Sequence, residues 1–270
     1  MIDLHCHLLP GIDDGAKTPE ISLEMARIAV ADGISVTACT PHILPGVYDN
    51  SGPGIKAAVA QLADALAQAG IPLAVVAGAD VHIAPDLGTQ LRDKQALTIN
   101  DSRYFLFEPP HHVVPPRLEN HTFGLQAVGY VPILTHPERL SWVEGHYDLI
   151  KRLVYSGVLM QLTAGSLMGR FGRRPRYWAE RMLDDGLCHV LATDGHNTEQ
   201  RAPRMSDARE VAARKLGDGE ATNLVLTRPQ GILNDVAPSQ LPPTVQAPRK
   251  TVPSSLWANL FGRGRRRRVG

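Results

Sequence analysis

The feature that most limits how this chain can fold is a recurring pair, a short apolar, β-branched run followed by a helical pattern of roughly 10–15 residues. The first strand runs from Met1 to His7, and Leu8 to Ala16 is a turn-rich loop with Pro10, Gly11 and Gly15. Thr18 then caps a helix that Pro19 opens. Ile21, Met25, Ile28 and Ala29 recur at helical spacing, and Gly33 ends the helix. The β-branched run Ile34 to Ala38 is the next strand and leads into Cys39-Thr40-Pro41-His42. The same alternation predicts helices near 55–69, 115–128, 146–156, 175–185 and 204–215. It predicts strands at 73–79, 103–107, 131–135, 158–162 and 188–193. Strands and helices alternating in this way build a parallel sheet, and about seven such units predict a closed or nearly closed β/α barrel.

Polar residues interrupt this pattern where strands end. His5 and His7 share one face of the first strand, because side chains two apart in a strand point the same way. His42, Asp80, Glu108, His136, Asp194 and His196 stand at the ends of later strands, and Asp14 lies in the first loop. In a parallel barrel all those ends converge on one rim, where sites are built. One such residue alone reads as a helix cap or a satisfied loop group. Nine in register with seven strand ends favour a metal centre, and mixed His/carboxylate donors suit Mn, Fe or Zn better than all-oxygen Ca or Mg sites.

Composition removes several alternatives. Residues 239–270 carry seven Lys/Arg and no acid, which leaves 21 basic against 27 acidic residues in 1–238. The body is therefore acidic, unlike a nucleic-acid binder. The three cysteines are too scattered for a disulfide framework. A cysteine-dependent tyrosine phosphatase needs Cys-x5-Arg, but Ile12, Pro45 and Asp194 stand six residues after Cys6, Cys39 and Cys188. Cys6 is expected to face away from the two histidines, into the core. No P-loop is present. There is neither a signal-peptide pattern nor an apolar window of transmembrane length, which points to the cytoplasm. The Pro-rich stretch from 239, with Leu256, Trp257, Leu260, Phe261 and Arg265 to Arg268, reads as a disordered basic tail. The sharper reading is a peripheral contact with anionic lipid at the inner face of the membrane.

The motifs HCHLLPGIDDG (5–15), TPH (40–42), the acid at 80, Glu108, THPER (135–139) and TDGH (193–196) resemble the PHP superfamily, named for polymerase and histidinol phosphatase. Within it they look like the bacterial tyrosine phosphatases of capsular and exopolysaccharide synthesis. The resemblance covers about residues 1–235 and implies a distorted (β/α)7 barrel, here a 1–238 phosphatase domain followed by the 239–270 tail. It implies three divalent metal ions, manganese first, with iron or zinc as alternatives. His5, His7 and Asp194 would hold the first, Glu108 and His136 the second with Asp80 bridging, and Asp14, His42 and His196 the third. Arg139 and Arg201 match arginines that face the phosphoryl group in the family; a guanidinium can hold two phosphate oxygens at once.

The family usually has Glu where this chain has Asp80, a side chain one methylene shorter. His82 shares a strand face with Asp80 but reads as a surface histidine. The expected activity is hydrolysis of phosphotyrosine by a metal-bound hydroxide. The expected partner is an autophosphorylating bacterial tyrosine kinase, and self-association is left open. The residues alone also leave open a small-molecule phosphatase of histidinol-phosphate type and a non-catalytic partner of a kinase or membrane.

Overall fold

The predicted strands form and join edge to edge in parallel. A computed structural model of the chain describes residues 1–248. The order is β1 (Ile2–Cys6), α1 (Pro19–Ala31), β2 (Val36–Cys39), β3 (His42–Ile43), α2 (Gly52–Gln68), β4 (Ala74–Ala77), β5 (Asp80–His82) and α3 (Leu87–Arg92). Then follow β6 (Tyr104–Glu108), α4 (Leu118–Ala127), β7 (Val131–Thr135), α5 (Tyr147–Tyr155), β8 (Leu159–Thr163), α6 (Ala164–Leu167), α7 (Arg173–Asp184) and β9 (Val190–Ala192). Helices α8 (Ser206–Leu216), α9 (Asp218–Thr222) and α10 (Arg228–Leu233) follow, with a π-helical turn at Asn223–Thr227 between the last two.

One sheet runs β1-β2-β4 and the other β3-β5-β6-β7-β8-β9. β2 continues into β3 across Thr40-Pro41, and β4 into β5 across Gly78-Ala79, so the described residues make seven broken or unbroken strands. β4 pairs with β2, whereas β5 takes over the pairing with β6. That exchange is the distortion. The ends of the last and first strands meet: Asp194 N donates to His5 O and His7 N to Gly195 O, both at 2.8 Å. The barrel is closed at the rim that carries the histidines.

Packing follows the sequence pattern. Ile2, Leu4, Tyr104, Leu106, Ile133 and Leu159 point into the barrel, and Ile232 and Leu233 of α10 join that inner cluster. A larger apolar layer lies between strands and helices, where α1 buries Met25, Ala26 and Ala29. Thr18 caps α1 as expected, its side chain accepting from Ile21 N, and Gly33 follows the helix at φ +88°. All three cysteines are free and buried.

The C-terminal part departs from expectation. The helix predicted at 204–215 is α8, but four further helical segments follow it among the described residues, the last a 3-10 turn at Pro238–Gln240. Arg228 is fully buried with Glu220 at 2.8 Å, and it also donates to Pro242 O at 2.8 Å and Pro243 O at 2.6 Å. Ala247 N donates to Asp184 O at 2.9 Å. Residues 241–247, expected to open the flexible tail, therefore lie along the body, because one buried guanidinium uses their carbonyls as acceptors. The rest of the expected tail, with its Trp257 and Arg run, lies outside the described residues, as does the expected lipid contact. Among the described residues no helix is long and apolar enough to cross a membrane.

Candidate metal centre

The strand ends deliver the nine expected residues to one rim. His5 and His7 leave β1 on one face, both fully buried. Gly15 lets the following loop close over them: a Cβ there would stand 2.2 Å from His7 O and 2.4 Å from His7 Cβ. His136 (φ +35°) and Asp194 (φ +50°) end their strands in left-handed backbone, which turns the chain sharply and aims both side chains inward. Such a conformation costs about 1–3 kcal/mol for a non-glycine residue and persists only where the surroundings hold it.

The donor atoms crowd as ligands of shared ions do. Two ligands about 2.0–2.2 Å from one ion stand roughly 3 Å apart at a right angle and roughly 3.4 Å apart at the tetrahedral angle. His5 Nε2 and His7 Nε2 are 3.1 Å apart, and each is 3.5 Å from Asp194 Oδ1. His5 Nε2 is also 3.5 Å from Asp80 Oδ2. His136 Nε2 lies 3.4 Å from Glu108 Oε1, and His42 Nδ1 lies 3.4 Å from Glu108 Oε2 and 3.5 Å from Asp80 Oδ2. Asp14 Oδ1 is 3.5 Å from His42 Nε2 and 3.4 Å from His196 Nε2.

Hydrogen bonds behind the rings fix which nitrogen faces the centre. Gln161 Oε1 accepts from His5 Nδ1 at 2.9 Å, Asp13 Oδ2 from His7 Nδ1 at 2.7 Å, and Asp194 O from His196 Nδ1 at 2.9 Å. With those protons on Nδ1, each Nε2 presents a lone pair. The His5 and His7 lone pairs thus face one another at 3.1 Å, an arrangement that a cation between them would stabilise. Both oxygens of Asp80 and His196 Nε2 are buried without a hydrogen-bond partner, which is costly for a carboxylate unless charge compensates it. The residues present fit divalent metal.

The titration behaviour has the same cause. Burial depresses His5 to about 4 and His7 and His136 each to about 3, so these rings are neutral and able to ligate. Burial, then the charges of Glu108 and Asp194, push Asp80 well above its ordinary value. At Asp194 burial also acts upward, but its charged neighbours, the Arg201 guanidinium first and Arg139 with it, outweigh burial and hold the carboxyl well below the usual range. Burial pushes the Cys6 thiol well up, and Cys6 Sγ points at Gly195 O.

A family model described as "Capsular polysaccharide synthesis, CpsB/CapC" matches residues 1–234. The chain belongs to the CpsB/CapC family. It is 38% identical to the tyrosine-protein phosphatase YwqE of Bacillus subtilis over 80% of this chain and 85% of that one. It is 27% identical to the tyrosine-protein phosphatase CpsB of Streptococcus pneumoniae over 87% of this chain and 99% of that one. The fold matches a chain from the crystal structures of YwqE and CpsB, described there as metal-dependent tyrosine phosphatases. The TM-score is 0.84 at 34% identity, covering 93% of this chain and 100% of that chain.

In this CpsB/CapC chain the two arginines reach the rim by way of a carboxylate. Arg139 and Arg201 both donate to Asp194 Oδ2, the latter at 2.7 Å. The Arg139 guanidinium lies 4.4 Å and that of Arg201 5.9 Å from the centre of the Phe171 ring. Arg201 Nε is buried without a partner. Sequence reasoning missed Asp13, Gln161 and His111, and it placed His82 on the surface. His82 Nε2 is instead 2.7 Å from Glu108 Oε2, and His111 Nε2 is 3.1 Å from Glu108 Oε1. For His82 the signal was present, since Asp80-x-His82 repeats the His5-x-His7 spacing along one strand face.

Proposed function

We propose that this chain is a metal-dependent protein-tyrosine phosphatase acting on the phosphotyrosines of a bacterial tyrosine kinase of polysaccharide synthesis. His5, His7 and Asp194 would hold one divalent cation, and Glu108 and His136 a second, with Asp80 between the two. Asp14, His42 and His196 would hold the third. Manganese, iron and zinc all suit this donor set. The observation that carries the reading is the pair of imidazole lone pairs facing each other at 3.1 Å, with two unpartnered Asp80 oxygens beside them. When bound, the cations supply the positive charge that acidifies a water for in-line attack and neutralises phosphate oxygens.

The chain's own residues do the remaining work. Gln161 and Asp13 keep the His5 and His7 protons on Nδ1. Arg139 and Arg201 orient Asp194, and the unpartnered Arg201 Nε is a donor left for an equatorial phosphate oxygen. No cysteine serves as nucleophile: all three are buried, and burial raises every thiol. Support for the substrate class comes from YwqE and CpsB, both named tyrosine-protein phosphatases, and the family's link to capsular polysaccharide synthesis supports the kinase as partner. Such a substrate places the enzyme in the cytoplasm, beside the membrane.

The test is release of phosphate from a phosphotyrosine peptide and from histidinol phosphate, each with and without chelator. Chelator-sensitive turnover of the peptide alone supports the reading. Preference for histidinol phosphate refutes it in favour of a small-molecule phosphatase.

A further inference from the structure

Glu108 is more heavily surrounded by imidazole than a shared ligand of the expected set requires. Four histidines converge on its two oxygens, in two pairs. His111 Nε2 and His136 Nε2 stand 3.1 and 3.4 Å from Oε1, whereas His82 Nε2 and His42 Nδ1 stand 2.7 and 3.4 Å from Oε2. In each pair the two nitrogens and a Glu108 oxygen all lie within 4.8 Å of one another. The 3.1 and 3.4 Å separations match the spacing of two ligands on a single ion, and the 2.7 Å of His82 to Oε2 is a hydrogen-bond distance that would open slightly around a cation. His82 and His111 are 21% and 31% exposed, whereas His136 is buried, so the Glu108 end of the centre is open to solvent, as the Asp14 end is.

We propose that His82 and His111 are metal ligands, each completing a cation position at one oxygen of Glu108. The inference rests on the metal reading of the site and extends it by two residues. It has a chemical consequence. Each imidazole adds one nitrogen donor to the position at its own Glu108 oxygen, which favours zinc or cobalt over manganese there.

The plain alternative is that both histidines only donate hydrogen bonds to Glu108 and orient it. Loss of an orienting residue also weakens metal binding, by about 10–100-fold, so affinity alone does not separate the two readings. The ligand field of bound cobalt does. The experiment takes the full chain, stripped with chelator and titrated with Co2+, as wild type, His82→Ala, His111→Ala, His82→Gln and His111→Gln. It reads the visible d–d absorption, the cobalt stoichiometry by elemental analysis, and folding by circular dichroism.

The expected result is a changed band position and intensity in each Ala variant, with at least about a tenfold loss of affinity for one cobalt. The Gln variants keep a hydrogen-bond donor and the fold, so they show the same spectral change if a nitrogen ligand is lost. An unchanged spectrum in folded variants, with or without weaker binding, overturns the proposal and leaves the histidines as orienting donors. A wild type that binds no cobalt overturns the metal premise. Cobalt binding with the expected variant spectra, but no turnover of phosphotyrosine, upholds this inference and refutes the proposed activity.

Discussion

Asp13 tests how far the centre depends on residues that touch no metal. Its Oδ2 accepts from His7 Nδ1 at 2.7 Å and from the His42 amide at 3.2 Å, and its Oδ1 accepts from the Gly15 amide at 2.8 Å. Three donors therefore share two acceptor oxygens. Asp13→Asn keeps the shape and leaves only one acceptor. If the amide oxygen faces Gly15, the NH2 group meets His7 Nδ1 and drives the ring proton to Nε2, the atom that faces His5 and Asp194. If the oxygen faces His7, the Gly15 amide is opposed and the loop carrying Asp14 loosens. A hydrogen bond to a charged group contributes about 1.5–3 kcal/mol. Spent on the wrong tautomer, that corresponds to metal affinity lower by about 10–100-fold, or about 1.4–2.7 kcal/mol. The assay is Mn2+ affinity by chelator competition, with turnover of a phosphotyrosine peptide followed as Mn2+ is raised. The half-saturating metal concentration rises by that factor, and the rate at saturation recovers to within a few-fold of wild type. Unchanged metal dependence in Asp13→Asn would refute the reasoning, since His7 would then be oriented by something else.

Asp80→Asn removes a buried carboxyl whose ionised form burial and the Glu108 and Asp194 charges disfavour, so the metal-free variant gains about 1 kcal/mol in urea unfolding while the stabilisation by added Mn2+ shrinks; a less stable apo variant contradicts this. Arg228→Met strands the buried Glu220 and frees the Pro242 and Pro243 carbonyls, costing about 3–5 kcal/mol in denaturant unfolding with turnover per folded molecule unchanged. A loss below about 1 kcal/mol would mean the pair is dispensable. Burial and the Arg228 charge hold His189 at about 4, and its Nδ1 accepts from Met160 N, so the folded protein refuses a proton that the unfolded chain takes up below about 6.5. Stability therefore falls as pH drops from about 6.5 to about 4, by up to about 1.4 kcal/mol per unit for this group, and His189→Asn flattens that slope; an unchanged slope in the variant refutes it.

What the sequence made legible was whatever repeats locally. Apolar runs ending in a polar residue marked the strands and, with them, the rim: β7 lies at 131–135 as predicted, and nine residues named from strand ends and one loop come within ligand spacing of a neighbour. The partners across the barrel were not legible. Gln161 holds His5 from a strand 156 residues away, and its interruption of an apolar run could equally have been a packing defect. His82 and His111 gain meaning only beside Glu108, which β5–β6 pairing and a short loop bring to them. The C-terminal helices hid for a different reason. Gly217, Gly219, Pro229 and Gly231 punctuate α9 and α10 like a loop, yet Leu224, Val225, Ile232 and Leu233 are buried, and tertiary packing overrides the local propensity. Arg228 reads as a surface charge until its acceptors, supplied by Glu220 and by residues 242 and 243, are in place.

Metal held by strand-end histidines and carboxylates is what hydrolyses phosphotyrosine in the proposed reaction. The measurement that tests this most directly is Mn2+-dependent hydrolysis of a phosphotyrosine peptide by wild type and His136→Ala, with and without chelator, beside the metal content of each protein. The expected result is turnover that chelator abolishes, Mn2+ restores and His136→Ala loses together with bound metal. Turnover that survives chelation, or a metal-loaded wild type that leaves the peptide intact, would contradict it.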